Sequence, residues 1–198
     1  MTNIENDSPL LTQRPKRADA RRNYEKLVDA ARAAFAEGGT SASLEDIARR
    51  AGVGIGTLYR HFPSRQHLLE AVYVDEVEAI CRSAEDYSQL EPWEALSGWL
   101  HRFVGFAATK RALAEQLFEY IERDSEVFRS CGDAINAAGG PLLERAQDAG
   151  VVRPDTNFTD IARMVGGISV IRTADDEQIG RILEVALDGL RYRPARDA

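Results

Sequence analysis

The sequence predicts an all-α protein. Apolar residues recur at three- and four-residue spacing along most of the 198 residues, which is the spacing of an amphipathic helix. No segment shows the two-residue alternation typical of a half-buried strand. Glycine and proline separate the periodic segments and mark where helices end.

Residues 1–18 are predicted to form a disordered basic arm, because they are polar, contain two prolines and lack periodicity. Basic residues lead from this arm into the first helix: Arg14, Lys16, Arg17, Arg21 and Arg22. Two interpretations stay open for them, a solvated surface or contact with phosphates or a minor groove.

The first helix is predicted over residues 19–37. Its apolar face consists of Tyr24, Leu27, Val28, Ala31 and Phe35, and Gly38 and Gly39 end it. Val28 and Phe35 are expected to pack against the segment that follows.

Residues 43–62, SLEDIARRAGVGIGTLYRHF, predict two short helices joined by a tight turn. Ser43 can cap the first helix, and Gly52 suits the turn that ends it. The second helix begins at Gly54, and Leu58 and Phe62, four residues apart, point back at the first helix. Its other face carries Thr57, Tyr59, Arg60 and His61. This arrangement is a helix-turn-helix whose second helix offers hydrogen-bonding groups to a DNA groove.

The same segment resembles the TetR family of bacterial transcription regulators. The family pattern of IA, AGV, GTLY and HF is matched at residues 47–48, 51–53, 56–59 and 61–62, and Pro63, Ser64, Arg65, Leu68 and Leu69 extend it. Three positions depart from the pattern. Gly54 stands where the family usually has Ser or Thr, Ile55 where a polar or basic residue is frequent, and Arg65 where Lys is frequent.

The resemblance implies that residues 19–66 form a DNA-binding domain for a double-stranded operator. Ile55 is expected to replace a hydrogen bond by an apolar base contact, such as one to a thymine methyl group. The residues predicted to contact DNA are Ser43, Gly54, Ile55, Thr57, Tyr59, Arg60, His61, Arg65, Arg21 and Arg22.

The charge distribution agrees with a single DNA-binding end. The whole chain has a net charge of −7, which argues against a protein that coats nucleic acid. Residues 1–70 carry eleven Lys and Arg against nine Asp and Glu, whereas residues 71–198 carry fourteen against twenty-three. The basic residues are therefore enriched where phosphate contact is expected.

A long helix is predicted over residues 64–87, capped by Ser64 and able to connect two domains. Three helices should follow: one from Pro92 to about residue 107, one over about 113–121, and one from about residue 127. Gly139, Gly140 and Pro141 are expected to kink or interrupt the third.

Residues 67–198 are predicted to form a helical effector-binding and dimerisation domain, because the corresponding TetR region encloses a small-molecule cavity. The predicted effector contacts are Trp99, Phe103, Phe118 and Phe128, with Arg102 and Tyr120 as polar partners. The competing interpretation is that the aromatic residues only fill the core.

The last two helices are predicted over 157–172 and 175–191, and residues 193–198 form a polar tail. Each helix has a wide apolar face, and TetR proteins use such helices to form a homodimeric four-helix bundle. The predicted interface residues are Ile161, Val165, Ile168, Ile179, Leu183 and Leu187. Burial of both faces within one subunit is the alternative.

No pattern indicates an enzyme or a cofactor site. The three histidines are not grouped with cysteines or carboxylates at metal-ligand spacing, and no nucleotide-binding glycine fingerprint follows a strand. Cys81 and Cys131 are expected to be free thiols, with a redox switch as the alternative. The lack of a signal peptide or an apolar membrane segment favours a cytoplasmic protein.

The sequence therefore predicts a TetR-like, homodimeric regulator with an N-terminal three-helix DNA-binding domain joined by a long helix to the effector domain. A small apolar effector is expected to release it, as a repressor, from a palindromic operator. The alternative is a constitutive or architectural DNA-binding protein without an effector.

Overall fold

A computed structural model of the chain describes residues 14–38, 41–171 and 175–191. Residues 1–13 of the predicted arm, Gly39 and the predicted C-terminal tail lie outside this description. Within the described ranges the chain forms eight α-helices: α1 (Ala18–Gly38), α2 (Leu44–Arg50), α3 (Ile55–His61), α4 (Arg65–Arg82), α5 (Pro92–Leu117), α6 (Glu126–Asp148), α7 (Phe158–Ile168) and α8 (Asp176–Asp188). The predicted all-α class is confirmed.

The chain divides into two compact units. The first unit comprises Met1–Glu78 and Thr109–Cys131, and the second comprises Ala79–Ala108 and Gly132–Ala198. Helices α4, α5 and α6 each contribute residues to both units. Whether residues 19–66 fold as a separate domain stays a prediction.

The first unit has a core built from the predicted apolar faces. Leu27, Ile47 and Leu58, from α1, α2 and α3, are completely buried, and Val28 and Phe35 are almost so. The sharp turn between α2 and α3 depends on Gly52, whose φ of +68° lies in the left-handed region, a conformation that costs glycine little.

The predicted helix over 64–87 is wrong at its C-terminal end. Helix α4 ends at Arg82 and continues as a 3₁₀ turn, Ser83–Tyr87. The carbonyl of Ile80 accepts hydrogen bonds from Ser83 Oγ at 2.7 Å and from Trp99 Nε1 at 3.2 Å. The Ile80 carbonyl, in the last turn of α4, is thus bonded to side chains at the point where the α-helix gives way to the 3₁₀ turn.

The predicted break before residue 113 is also wrong, because α5 is one helix of 26 residues. Its start at Pro92 agrees with the prediction. Residues 107–117 contain neither glycine nor proline and are rich in Ala, Leu, Lys, Arg, Glu and Gln, which favour a continuous helix. The helix ends at Leu117, before the predicted end at residue 121.

Helix α6 runs through Gly139, Gly140 and Pro141, so the predicted interruption is wrong. A Cβ atom at Gly139 would overlap the ring of Phe158. Gly139 is therefore explained by close packing between α6 and the start of α7 rather than by a helix end.

Helices α7 and α8 begin at side-chain caps. Asn157 accepts a hydrogen bond from the Asp160 amide at 3.0 Å, and Asp175 accepts one from the Gln178 amide at 2.7 Å. Helix α7 ends at Ile168, four residues before its predicted end, and α8 ends at Asp188. In the second unit the largest fully buried side chains are Leu96, Trp99, Leu100, Ile161, Leu183 and Leu187.

Candidate nucleic-acid interface

The geometry of α3 is determined by a few local contacts. Ser43 Oγ accepts a hydrogen bond from the Asp46 amide at 3.0 Å and so caps α2. Gly54 is the N-cap of α3 and makes no side-chain cap hydrogen bond. Leu58 and Phe62 are 0% and 2% exposed, so they anchor one side of α3 in the core. The opposite side of α3 is left facing solvent.

That outer side combines apolar and polar groups. Ile55 and Tyr59 are 38% and 46% exposed, which is unusual for large apolar side chains. Thr57 is half-buried, and Arg60 is exposed with its Nε donating to the Gly56 carbonyl at 3.2 Å. No heavy atom lies within 4 Å of where a Cβ would stand at Gly54 or Gly56. The surface beside Ile55 is therefore open to a groove.

His61 lies at the edge of this surface and is half-buried. Its ring meets the ring of Tyr24 edge-on, with centroids 6.3 Å apart. Burial, and next the positive charge of Arg60, lower the pKa of His61 below its usual value of 6.5. The neutral imidazole is therefore favoured, and His61 supports the core as well as the outer face.

Arg65 faces the interior of the first unit. Its Nη1 donates to the Ala42 carbonyl, and its guanidinium lies 4.9 Å from the centroid of the Phe35 ring. These contacts connect the start of α4 to α1 and to the segment before α2. Arg65 therefore supports the helix-turn-helix from the interior of the first unit.

Arg21 and Arg22 are exposed on the first turn of α1, where they lie near Glu25 and Asp19. Arg49 has 79% of its side chain exposed and pairs with Asp46. Its place at the end of α2, just before the turn, adds a cation that the motif pattern did not mark as functional.

The structure divides the predicted effector residues between the two units. In the second unit the Trp99 and Phe103 rings are stacked 5.4 Å apart and are 0% and 5% exposed. Arg102 is exposed and pairs with Asp86 at 3.2 Å. Trp99 and Phe103 therefore belong to the packed core of that unit.

In the first unit, Phe118 and Phe128 lie 5.1 Å apart, and Phe128 meets the buried ring of Tyr73 edge-on. Tyr120 is 43% exposed. A shallow, open pocket of about 490 Å³ is lined by residues 118–124, which include Phe118 and Tyr120. Phe118 and Tyr120 are thus the predicted effector residues that line this pocket.

The predicted dimer residues are mostly buried within the chain itself. Ile161, Val165, Leu183 and Leu187 are each at most 1% exposed and Ile168 is 8% exposed, whereas Ile179 is half-buried. Both apolar faces thus contribute to the core of the second unit. Exposed apolar side chains nearby are Val170, Ile171 and Val185, the last being 75% exposed.

Among the described residues, no three His, Cys, Asp or Glu side chains are grouped so that they could hold a metal ion. None of the helices in the ranges given above combines the length and apolar character that crossing a bilayer requires.

The first unit holds the second helix of a helix-turn-helix on a small helical core and leaves one face of that helix open to solvent. This arrangement is that of a DNA-binding regulator. The chain belongs to the TetR family of transcriptional regulators. The profile described as "Bacterial regulatory proteins, tetR family" matches residues 27–72. The profile described as "Transcriptional regulator SbtR-like, C-terminal domain" matches residues 91–192.

Individual relatives agree with this assignment. The chain is similar to the crystal structure of the TetR transcriptional regulator SCO0520 from Streptomyces coelicolor, with 38% identity, a TM-score of 0.72, and coverage of 85% of this chain and 98% of that one. It is 25% identical to the transcriptional regulator UidR of Escherichia coli K12 over 173 residues, 84% of this chain and 88% of UidR. The match to the regulator SAR0097 of Staphylococcus aureus, at 36% identity, spans 76 residues, 37% of this chain and 40% of that relative.

Proposed function

We propose that this protein is a homodimeric, cytoplasmic repressor that binds a palindromic operator and is released by a small apolar effector. The observation that carries the DNA-binding part is the open face of α3, where Ile55 and Tyr59 are exposed beside Thr57 and Arg60. Repression is proposed because most members of the family repress. No catalytic role is proposed.

Direct base contact is assigned to Ile55, Thr57, Tyr59 and Arg60, while Gly54 lets the backbone approach the DNA. Arg21, Arg22 and Arg49 are assigned to phosphates. Ser43, His61 and Arg65 are assigned supporting roles, since each makes a contact that holds α2, α3 or α4 in place.

Dimerisation is assigned to the outer surfaces of α7 and α8. The exposed apolar side chains of Val170 and Ile171, just after α7, and of Val185 on α8 support this choice, because contact with a second copy would remove their apolar surface from water. Two copies would place two α3 helices on successive half-sites, which explains a palindromic operator.

The effector is proposed to bind beside Phe118 and Tyr120, at the open pocket of the first unit. Arg123, whose guanidinium lies 4.0 Å from the centroid of the Phe118 ring, would meet a polar or anionic end of such a molecule. The tight stacking of Trp99 on Phe103 favours the second candidate, a constitutive regulator without an effector, because those two residues leave no room between them.

The DNA-binding proposal is tested with an operator selected from a pool of genomic fragments by the purified protein. A base contact is worth about 1–3 kcal/mol, so a Thr57→Ala/Tyr59→Ala variant should lose at least about tenfold in affinity. His61 is left unchanged, since it packs on Tyr24. Arg153→Ala, an exposed change in the loop between α6 and α7, is the control and should bind like the wild type. Equal binding by the Thr57/Tyr59 variant would refute the assignment.

The effector proposal is tested by screening small aromatic and aliphatic acids for thermal stabilisation of the protein and for release of the operator. Compounds that stabilise the protein and release the operator should lose both effects when Tyr120 is replaced and keep both in Trp99→Phe. Hits abolished by Trp99→Phe would instead assign the effector to the buried stack. A screen in which stabilising compounds never weaken operator binding would favour the constitutive regulator.

A further inference from the structure

An ion-pair cluster on α4 involves an arginine from the basic segment that was predicted to contact DNA. Arg14 Nη2 lies 2.8 Å from Asp75 Oδ1 and 2.7 Å from Glu78 Oε2. The Arg14 side chain is 25% exposed and that of Glu78 only 4% exposed. Arg14 is therefore engaged with a buried carboxylate on α4, within the first unit.

A second arginine joins the same cluster from α1. Arg32 donates to Asp75 Oδ2 and also pairs with Glu76 on α4. It donates as well to Asp29, one turn earlier in α1, at 2.9 Å. The segment before α1 and the middle of α1 are thus both tied to one side of α4. We refer to Arg14, Arg32, Asp75 and Glu78 as the α4 clamp.

Tyr24 links the α4 clamp to the end of the DNA-facing helix. Its ring centroid lies 5.0 Å from that of Phe62 and 6.3 Å from that of His61. Burial raises the pKa of Tyr24 to about 12, and the charge of Arg14 and those of the two clamp carboxylates also act on its hydroxyl. The α4 clamp ties α1 and the segment before it to α4, and Tyr24 of α1 packs against the end of α3.

We propose that Arg14 is a positioning residue for DNA binding, acting through Asp75 and Glu78 on α4 rather than through contact with DNA. The inference rests on the proposed operator binding. Without Arg14, Asp75 and the almost fully buried Glu78 would lose the cation that bridges them, and removing one partner of a buried ion pair destabilises the packing around it. The rearrangement reaches α3 through Tyr24.

The salt dependence of operator binding separates this role from phosphate contact. A lysine or arginine that neutralises one phosphate contributes about 0.9 to the slope of log affinity against log salt. We expect Arg14→Gln to lower affinity by about tenfold, a typical coupling effect, and to leave the slope unchanged. Arg21→Gln, a change at an exposed arginine that is proposed above to contact a phosphate, is the matched comparison. It should reduce the slope by about 0.9.

Glu78→Gln gives a second test with the opposite expectation for the two roles. If Arg14 served a phosphate, removing one of its two carboxylate partners would hold it less firmly on α4, and affinity would stay the same or rise. Under the positioning role, Glu78→Gln also lowers affinity, and the double variant with Arg14→Gln is no worse than the more severe single variant, because both remove one interaction.

Folding is checked for every variant by circular dichroism and thermal unfolding. If Arg14→Gln fails to fold, the proposal is tested with Glu78→Gln and Asp75→Asn instead. Lowered operator affinity with an unchanged salt-dependence slope supports the proposal, and unchanged or raised affinity overturns it. A slope reduced by about 0.9 in Arg14→Gln also overturns it. If the wild type bound no selected DNA, the proposed function itself would fail, whereas normal binding by Arg14→Gln would refute only the positioning role.

Discussion

Replacing Gly139 by alanine should destabilise the protein even though alanine is the better helix former. The change gains about 1 kcal/mol of helix propensity in the interior of α6. The added Cβ, however, would overlap three atoms of the Phe158 ring, and overpacking of this kind costs about 1–3 kcal/mol. Phe158 is 6% exposed, and its ring centroid lies 5.7 Å from that of Trp99, so the ring has little room to yield. The net result is therefore a loss of up to about 2 kcal/mol.

Gly132 provides the matched control in the same helix, because no heavy atom lies within 4 Å of the Cβ position there. Gly132→Ala should therefore stabilise by about 0.5–1 kcal/mol. The two variants are compared by thermal unfolding at one protein concentration, since dimerisation makes the midpoint concentration-dependent. Each 1 kcal/mol corresponds to about 2–4 °C for a chain of this size.

Two further measurements identify the origin of the loss. Adding Phe158→Leu to Gly139→Ala should recover part of the stability, because the overlapping ring is removed. The fluorescence of Trp99 should change in Gly139→Ala and stay as in the wild type in Gly132→Ala. If both alanine variants were equally stabilised, the close packing of α6 on Phe158 would be refuted.

Three other predictions concern function and pH. Val185→Glu should leave the helices intact but shift sedimentation from dimer to monomer, because a charge replaces the most exposed apolar side chain of α8; a dimer that persists would exclude this surface. Replacing the contacted thymines of a selected operator by deoxyuridine removes their methyl groups and should weaken binding by the wild type but not by Ile55→Ala; equal losses would exclude the methyl contact. Because burial and Arg60 lower the pKa of His61 in the folded protein, the unfolded chain binds the extra proton as pH falls below about 6.5. The free energy of unfolding of the wild type should therefore decrease as pH falls through that range, and that of His61→Gln should decrease less. Identical pH profiles for the two proteins would contradict the cause assigned to the pKa shift of His61.

The two helices and the turn of the helix-turn-helix could be predicted from the sequence because their determinants are local. Ser43 caps α2 through an amide three residues away, Gly52 supplies the positive φ of the turn, and Leu58 and Phe62 are buried as their spacing indicates. The TetR assignment follows from the same segment, since its dense motif lies within about twenty consecutive residues.

Several of the remaining differences come from contacts between residues far apart in the chain. The Trp99 indole bonds to a carbonyl in the last turn of α4, and Phe158 gives Gly139 a packing role that sequence rules assign to a helix break. Arg14 and Arg65 look like free cations in the sequence but have partners in α4 and before α2. The periodicity of α7 and α8 identified apolar faces correctly. Only the tertiary structure decided that those faces fill the core of their own unit, because a helical pattern records which side is apolar and not what covers it.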